Sequence, residues 1–178
     1  MKTKKEFRYF TILEHEKEQE YLRRKGKEGW KFTKVSGLGI YHFEESKPED
    51  IVYQLDYNQE GLSHKDEYIR MFEDCGWEYI QDYAGYSYFR KPAAEMDGNE
   101  EIFCDDESRF RMMQRVFKGK VIPLFIIFSL IVIPQLLLSI FSTHNYVLTA
   151  VYAVITSLYV TLFVAFAIKY KKYKDKVK

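Results

Sequence analysis

The spacing of apolar and polar positions changes character along the 178-residue chain. In residues 121–141 and 146–168 alternation disappears: both runs are apolar and uncharged, and only Ser142, Thr143, His144 and Asn145 separate them. Runs of 21 and 23 residues reach roughly 32 and 35 Å as helices at about 1.5 Å per residue, and a hydrocarbon core is about 30 Å thick. The pattern predicts two transmembrane helices in a tight hairpin, with everything before them held beside a bilayer.

Residues 1–92 carry shorter periods, and these repeat. Glu20-Tyr21-Leu22-Arg23 followed by Gly29-Trp30-Lys31-Phe32 recurs as Glu67-Tyr68-Ile69-Arg70 followed by Gly76-Trp77-Glu78-Tyr79, at a constant offset of 47. Phe7 to Phe10 and Ile51 to Tyr57 have strand character, the second with Ile51, Tyr53, Leu55 and Tyr57 on one side. A helix follows each, over His15 to Lys27 and from Ser63, a cap with Asp66 three residues on, to about Asp74. Gly29 and Gly76 stand where those helices end and suit a left-handed stop. Beyond each glycine come paired aromatic strands, 30–35 with 40–44 and 77–83 with 86–90, joined by loops short enough for hairpins.

The expected architecture is α+β: a duplicated βαββ domain (repeats about 5–46 and 50–92) with one six-stranded, mainly antiparallel sheet and both helices on one face, because a helix with one apolar stripe must bury it. Leu22, Trp30, Phe32, Ile69, Phe72, Trp77 and Tyr79 are then core. Trp30 and Trp77 take equivalent structural positions, as do Gly29 and Gly76.

After this domain, residues 93–107 read as a solvated linker. Residues 108–120 regain helical character, with Phe110, Met113 and Phe117 on one face, as a short amphipathic helix that lies in the headgroup region or continues into the first span. Pro123 suits its first turn and Pro134 is expected to kink it. Gln135 and Ser139 are placed to hydrogen-bond across the hairpin, and the small residues Ala153, Ser157 and Thr161 form a stripe suited to close helix packing within it. Residues 169–178 form a basic tail.

Charge sharpens the picture. Of the chain's 27 basic and 26 acidic residues, nine basic and one acidic fall in residues 115–178, which leaves 18 basic and 25 acidic, a balance of −7, in the first 114. An acidic domain excludes a nucleic-acid surface, which needs a basic stripe against phosphates, and is expected to stay at a distance from an anionic membrane. Arg115, Lys118 and Lys120 precede the spans, six lysines follow them, and the intervening loop has none. By the positive-inside rule both ends face the cytoplasm, and Met1 to Phe10 lacks the apolar core of a secretion signal.

Candidate chemistry is sparse. No nucleophile elbow, zinc-binding HExxH or phosphate-cradling loop occurs, so neither catalysis nor a cofactor or metal is expected. Cys75 and Cys104 have no CxxC spacing and read as ordinary thiols. The histidines are scattered, His144 reads as a solvated turn residue, and Glu14, Glu16, Glu18 and Glu20 read as solvating the outer side of the first helix.

Gly29-Trp30, Gly76-Trp77, the aromatic strands and the basic-flanked C-terminal hairpin together resemble the family of Gram-positive bacterial membrane proteins catalogued as domain of unknown function 2812. Members tend to be encoded beside PadR-type transcriptional regulators, so the resemblance implies a regulatory role. The duplicated βαββ plan is also similar to GyrI-like effector-binding domains, which hold lipophilic or cationic ligands between repeats.

Three functions are ordered accordingly: a membrane-anchored cytoplasmic module that binds a protein partner; a sensor holding a lipophilic ligand in a groove of Tyr41, Tyr53, Tyr86 or Tyr88 with a buried carboxylate; and, last, an enzyme. An open tyrosine-lined pocket favours the second, a closed seam the first. The charge distribution generates a topology prediction: alkaline phosphatase fused after Lys178 is inactive, and a cysteine placed at Asn145 reacts with an outside-only reagent while one at Gly98 does not. The opposite labelling pattern contradicts it.

Overall fold

The computed structural model describes residues 2–11, 14–57, 64–96, 106–142 and 145–176, in two compact units, Met1–Asp105 and Asp106–Lys178. The first unit runs β1 (Thr3–Phe7), α1 (His15–Lys27), β2 (Trp30–Ser36), β3 (Ile40–Glu45), β4 (Ile51–Tyr57), α2 (Lys65–Glu73), β5 (Glu78–Tyr83) and β6 (Tyr86–Pro92). It is α+β, and the βαββ order occurs twice. Each repeat forms an antiparallel three-stranded sheet with its third strand central, β1-β3-β2 in sheet A and β4-β6-β5 in sheet B. The copies agree in detail: the ladder shifts register between Phe32 and Lys34 in one and between Tyr79 and Gln81 in the other, again 47 apart. Gly29 and Gly76 both take left-handed φ, +82° and +79°, where the chain leaves a helix for a strand. Ser63, Cys104 and His144 lie outside the described residues.

Two features depart from the expected plan. The six strands form two sheets, because side chains occupy the space between the β2 and β5 edges. Gln81 donates to the Val35 carbonyl (3.2 Å), Tyr83 to that of Gly37 (2.9 Å) and Arg90 to that of Phe32 (3.0 Å). The bonds to Phe32 and Val35 satisfy β2 carbonyls that a continuous ladder, with strands about 4.8 Å apart, would have taken, and the bond to Gly37 caps the turn that follows β2. The helices also do not share a face. Tyr88 and Phe89 are neighbours on β6 and therefore point to opposite sides of sheet B; Tyr88 meets α1, while Phe89 packs on Phe72 of α2 at 4.6 Å. Helix α1 is thus held between the sheets, with Tyr21 against Tyr41 and Phe43 of sheet A. This double coverage explains why β4 is buried at six of its seven positions instead of alternating.

The tryptophans are not equivalent. Trp77 is 4% exposed and packs with Phe72 and Phe89. It precedes β5, and its N–H donates to the Phe72 carbonyl at 2.9 Å, which folds it beneath α2. Trp30 instead begins β2 opposite Glu45 and is half-buried, with Lys4 Nζ 5.3 Å from its ring centroid. Ile69 and Tyr79, expected in the core, are half-buried, whereas Leu22 and Phe32 are fully buried. Ion pairs fasten α1 to the strands: Glu6 accepts from Tyr21 (2.7 Å) and pairs with Lys25 (2.9 Å), and Arg23 grips Asp50 through two bonds of 2.6 and 2.8 Å.

In the second unit, α3 (Asp106–Val116), α4 (Ile122–Ile127) and α5 (Ile133–Phe141) follow one another through π-helical turns at Phe117–Val121 and Phe128–Val132, and α6 (Tyr146–Lys176) returns. The segment before the first span therefore continues into it. Each wide turn immediately precedes a helix with proline in its first turn, Pro123 or Pro134. Proline lacks the N–H and crowds the carbonyl one turn back, and the wider turn makes room for it. The helices have most apolar windows of mean hydropathy 2.7 and 2.2, of which 17% and 6% of residues are buried. Such windows are long and apolar enough to cross a membrane, and they lack the burial of a soluble core helix.

Packing between the helices is antiparallel and aromatic, with Phe110 on Tyr170 (5.3 Å), Phe117 on Phe166 (5.6 Å) and Phe128 on Tyr159 (5.2 Å). Near the hairpin end, Thr149 donates across to Ser139 at 3.1 Å, while Gln135 is exposed. Ala153, Ser157 and Thr161 are exposed too, so the small-residue stripe is turned away from the hairpin interface, which the rings fill.

The unequal tryptophans generate a prediction for residues 1–105. Trp77→Ala costs about 3 to 5 kcal/mol, the range for emptying a buried aromatic site, and Trp30→Ala less than half as much. Urea unfolding followed by circular dichroism measures both, and equal losses would contradict the assignment.

Candidate functional site

Helix α1 buries His15, Glu18, Tyr21, Leu22, Lys25 and Gly26. Steps of three and four residues place these side chains along one side of the helix. Glu18 thereby enters the interior between the two repeats and is 6% exposed. Its Oε1 accepts from Tyr41 of β3 at 2.6 Å and from Tyr88 of β6 at 2.5 Å. Those lengths are in the range of charge-assisted O–H···O bonds. One carboxylate oxygen therefore gathers a phenol from each copy of the duplication.

Around this centre the rings close. Phe32 lies 5.9 Å from Tyr41, 6.0 Å from Tyr53 and 5.9 Å from Tyr88, centroid to centroid. Tyr86 packs edge-on to Tyr57 at 5.2 Å and stacks with His15 at 6.2 Å. Tyr53 accepts from the Phe32 N–H at 3.4 Å. Burial, followed by the charge of Glu18, pushes the phenols of Tyr41 and Tyr88 well above the usual tyrosine range, and burial does the same for Tyr86. All three remain proton donors at neutral pH.

The structure thus brings Tyr41, Tyr53 and Tyr88 together around Phe32, with Tyr86 alongside. They are 2%, 2%, 2% and 6% exposed and do not line an open groove. Helix α1 fills the seam. Of the four acids expected on the solvated side of α1, Glu14, Glu16, Glu18 and Glu20, Glu18 is instead buried, and the sequence carries a signal for it: it stands four before Leu22 and three before Tyr21, on the apolar side of its helix. Trp77 and Gly76 belong to the α2 side of sheet B, and Trp30 and Gly29 to the start of β2. Among the described residues no three His, Cys, Asp or Glu side chains gather as metal ligands would, and Cys75 is an exposed thiol.

A second concavity belongs to the helical unit. A groove of about 620 Å³ lies between α6 and the helices opposite it, lined by Phe117, Val121, Phe125, Phe163, Phe166 and Tyr170 among others. Its lining is almost wholly aromatic and aliphatic.

The model of the family described as protein of unknown function, DUF2812, matches residues 14–126, more than half of the chain. The chain belongs to the DUF2812 family. Neither a curated protein nor a solved structure matches it. The DUF2812 match begins beside α1 and takes in Glu18, all four tyrosines, both tryptophans and the start of the apolar helices. Most of what it covers is therefore the βαββ domain and its seam.

The shared carboxylate generates a coupling prediction. Glu18→Gln and Tyr88→Phe each destabilise the domain by about 1 to 3 kcal/mol, the cost of leaving a buried polar partner unsatisfied. The double variant loses less than the sum of the two, as contacting residues do. Strict additivity in urea unfolding would show that the contact contributes nothing.

Proposed function

We propose that this DUF2812 protein is a membrane-anchored regulatory module: a multi-pass protein with both termini in the cytoplasm, whose βαββ domain binds a cytosolic protein and holds it near the bilayer without a catalytic step. The observation that supports it best is the pairing, in one chain, of two helices able to cross a membrane with a domain whose tyrosine-rich seam is closed by its own helix. A closed seam leaves the outer surfaces of the domain to do the binding. A PadR-type transcriptional regulator is the partner that the family resemblance suggests. Tethering raises the local concentration of whatever the domain captures, so sequestration needs no further contact.

The test replaces residues 106–178 with an unrelated anchor that leaves the domain in the cytoplasm. Binding of the regulator by residues 1–105 in solution, loss of regulation on detachment and its return on grafting support the proposal. Membrane attachment without recovery of regulation would overturn it and move the active element into the helices.

One observation favours a second reading, a sensor of lipophilic cations. Glu18 is a buried carboxylate within a wall of aromatic rings, and rings and a carboxylate together stabilise a desolvated cation. Under this reading α1 must move to admit the ligand. Titration with tetraphenylphosphonium then changes Trp77 fluorescence in the native protein and not in Glu18→Gln; no change in either excludes it.

A further inference from the structure

The duplication supplies an internal control for one face of the domain. On sheet B, the face toward α1 carries Leu55 opposite Tyr88 and Tyr57 opposite Tyr86, all buried. The corresponding rows of sheet A are Lys5 opposite His42, extended by Lys34, and Phe7 opposite Ile40. Helix α1 lies on the other side of sheet A, so this face is open. A polar row there is what an open face requires, and Lys5, His42 and Lys34 provide it. Phe7 and Ile40 do not fit that account, since they are 68% and 40% exposed.

Two more large side chains join them. Leu38, in the β2–β3 turn, is 85% exposed, and Tyr9, two residues beyond Phe7, is 75% exposed. The Arg8 N–H donates to the Gly39 carbonyl at 2.9 Å, which fixes the end of β1 to that turn. A Cβ on Gly39 would stand 2.2 Å from the Arg8 carbonyl oxygen, so glycine is needed for the approach. Of the large apolar side chains left exposed among the described residues of this unit, only Met71 lies elsewhere.

Charge is arranged behind this apolar tip. Lys5 and Lys34 are exposed on this face, and Lys31 lies on it opposite Glu44, whereas the Arg8 guanidinium turns to the other side of the sheet, 5.6 Å from the Tyr21 ring centroid. Partial burial, then Lys5 and Lys34, hold the His42 imidazole below its usual value. In a domain whose sequence balance is −7, this face is locally basic.

We infer that the open face of sheet A docks on an anionic phospholipid bilayer, with Phe7, Tyr9, Leu38 and Ile40 entering the interface and Lys5, Lys31 and Lys34 meeting the lipid phosphates. Aromatic and aliphatic side chains ringed by basic ones fit the apolar–anionic boundary of such a membrane. The inference rests on the membrane reading above, because the same chain carries the two apolar helices that keep the domain within reach of a bilayer.

The test uses the full chain with Cys75→Ser and Cys104→Ser, carrying a nitrobenzoxadiazole label at Leu38→Cys or, as a control, Met71→Cys. It is reconstituted in vesicles of phosphatidylcholine alone or with phosphatidylglycerol. In the anionic vesicles the Leu38→Cys label shifts to the blue and the control does not. Lys5→Gln and Lys34→Gln each lower the docking equilibrium about fivefold, from about 1 kcal/mol per basic residue near an anionic surface, and high salt reverses docking. A label that stays aqueous on anionic vesicles, responds equally to neutral ones, or is shielded before lipid is added overturns the inference. Retention of the chain after an alkaline wash separately reports whether the helices span the membrane.

Discussion

The domain depends on a single carboxylate placed where water cannot reach it. Glu18 leaves solvent on a helix from the first repeat and is met by Tyr41 from that repeat and Tyr88 from the second. Removing any one of the three while the seam stays closed would leave its partners unsatisfied in an aromatic interior, at a cost of about 1 to 3 kcal/mol for each such group. Hydrophobic burial alone would hold α1 between the sheets, but many rotations of an aromatic-lined helix bury similar area. The hydrogen bonds select one. Specificity of arrangement, more than strength, is what a buried polar centre contributes here.

Much of this was legible in the sequence, and the limits have physical causes. The offset of 47 residues located both repeats and extends to the register shifts after Phe32 and Tyr79. Helix α1 begins and ends at His15 and Lys27 as the periodicity indicates. What periodicity cannot convey is which surface receives a helix's buried side. Two copies of a βαββ unit allow one continuous sheet or two apposed ones, and the choice falls to three side chains, Gln81, Tyr83 and Arg90, that take carbonyls of β2 and of the turn after it. Glu18 was hidden for a related reason. Alternating acids at positions 14, 16, 18 and 20 suggest a solvated face, yet alternate residues on a helix are about 200° apart and cannot share one.

In the helical unit the legible part was length and apolarity, and the illegible part was again orientation. Small residues at 153, 157 and 161 invite close packing, but the second helix also carries Tyr159, Phe163, Phe166 and Tyr170 on another side, and these face the first helix. Large rings that interlock gain more contact than small residues that merely permit approach. The prolines were visible as well, although a kink is only one way to accommodate them. Here a π-helical turn lies just before each proline-bearing helix, so the helical path continues toward Phe141.

Duplication followed by unequal use accounts for the remaining character of the domain. Equivalent rows read Leu55–Tyr88 in one repeat and Lys5–His42 in the other, because the first is covered by α1 and the second is not. The covered copy had to be apolar; the open copy was free to carry charge. Net charge therefore describes this domain poorly. Its acidic balance argued for distance from an anionic membrane, whereas strand pairing collects Lys5, Lys31 and Lys34 on one face beside Phe7 and Ile40. At a Debye length of about 8 Å in physiological salt, a bilayer surface responds to the charges nearest to it and very little to those on the far side of the domain. What decides how such a domain approaches a membrane is the strand register, which sets its local charge.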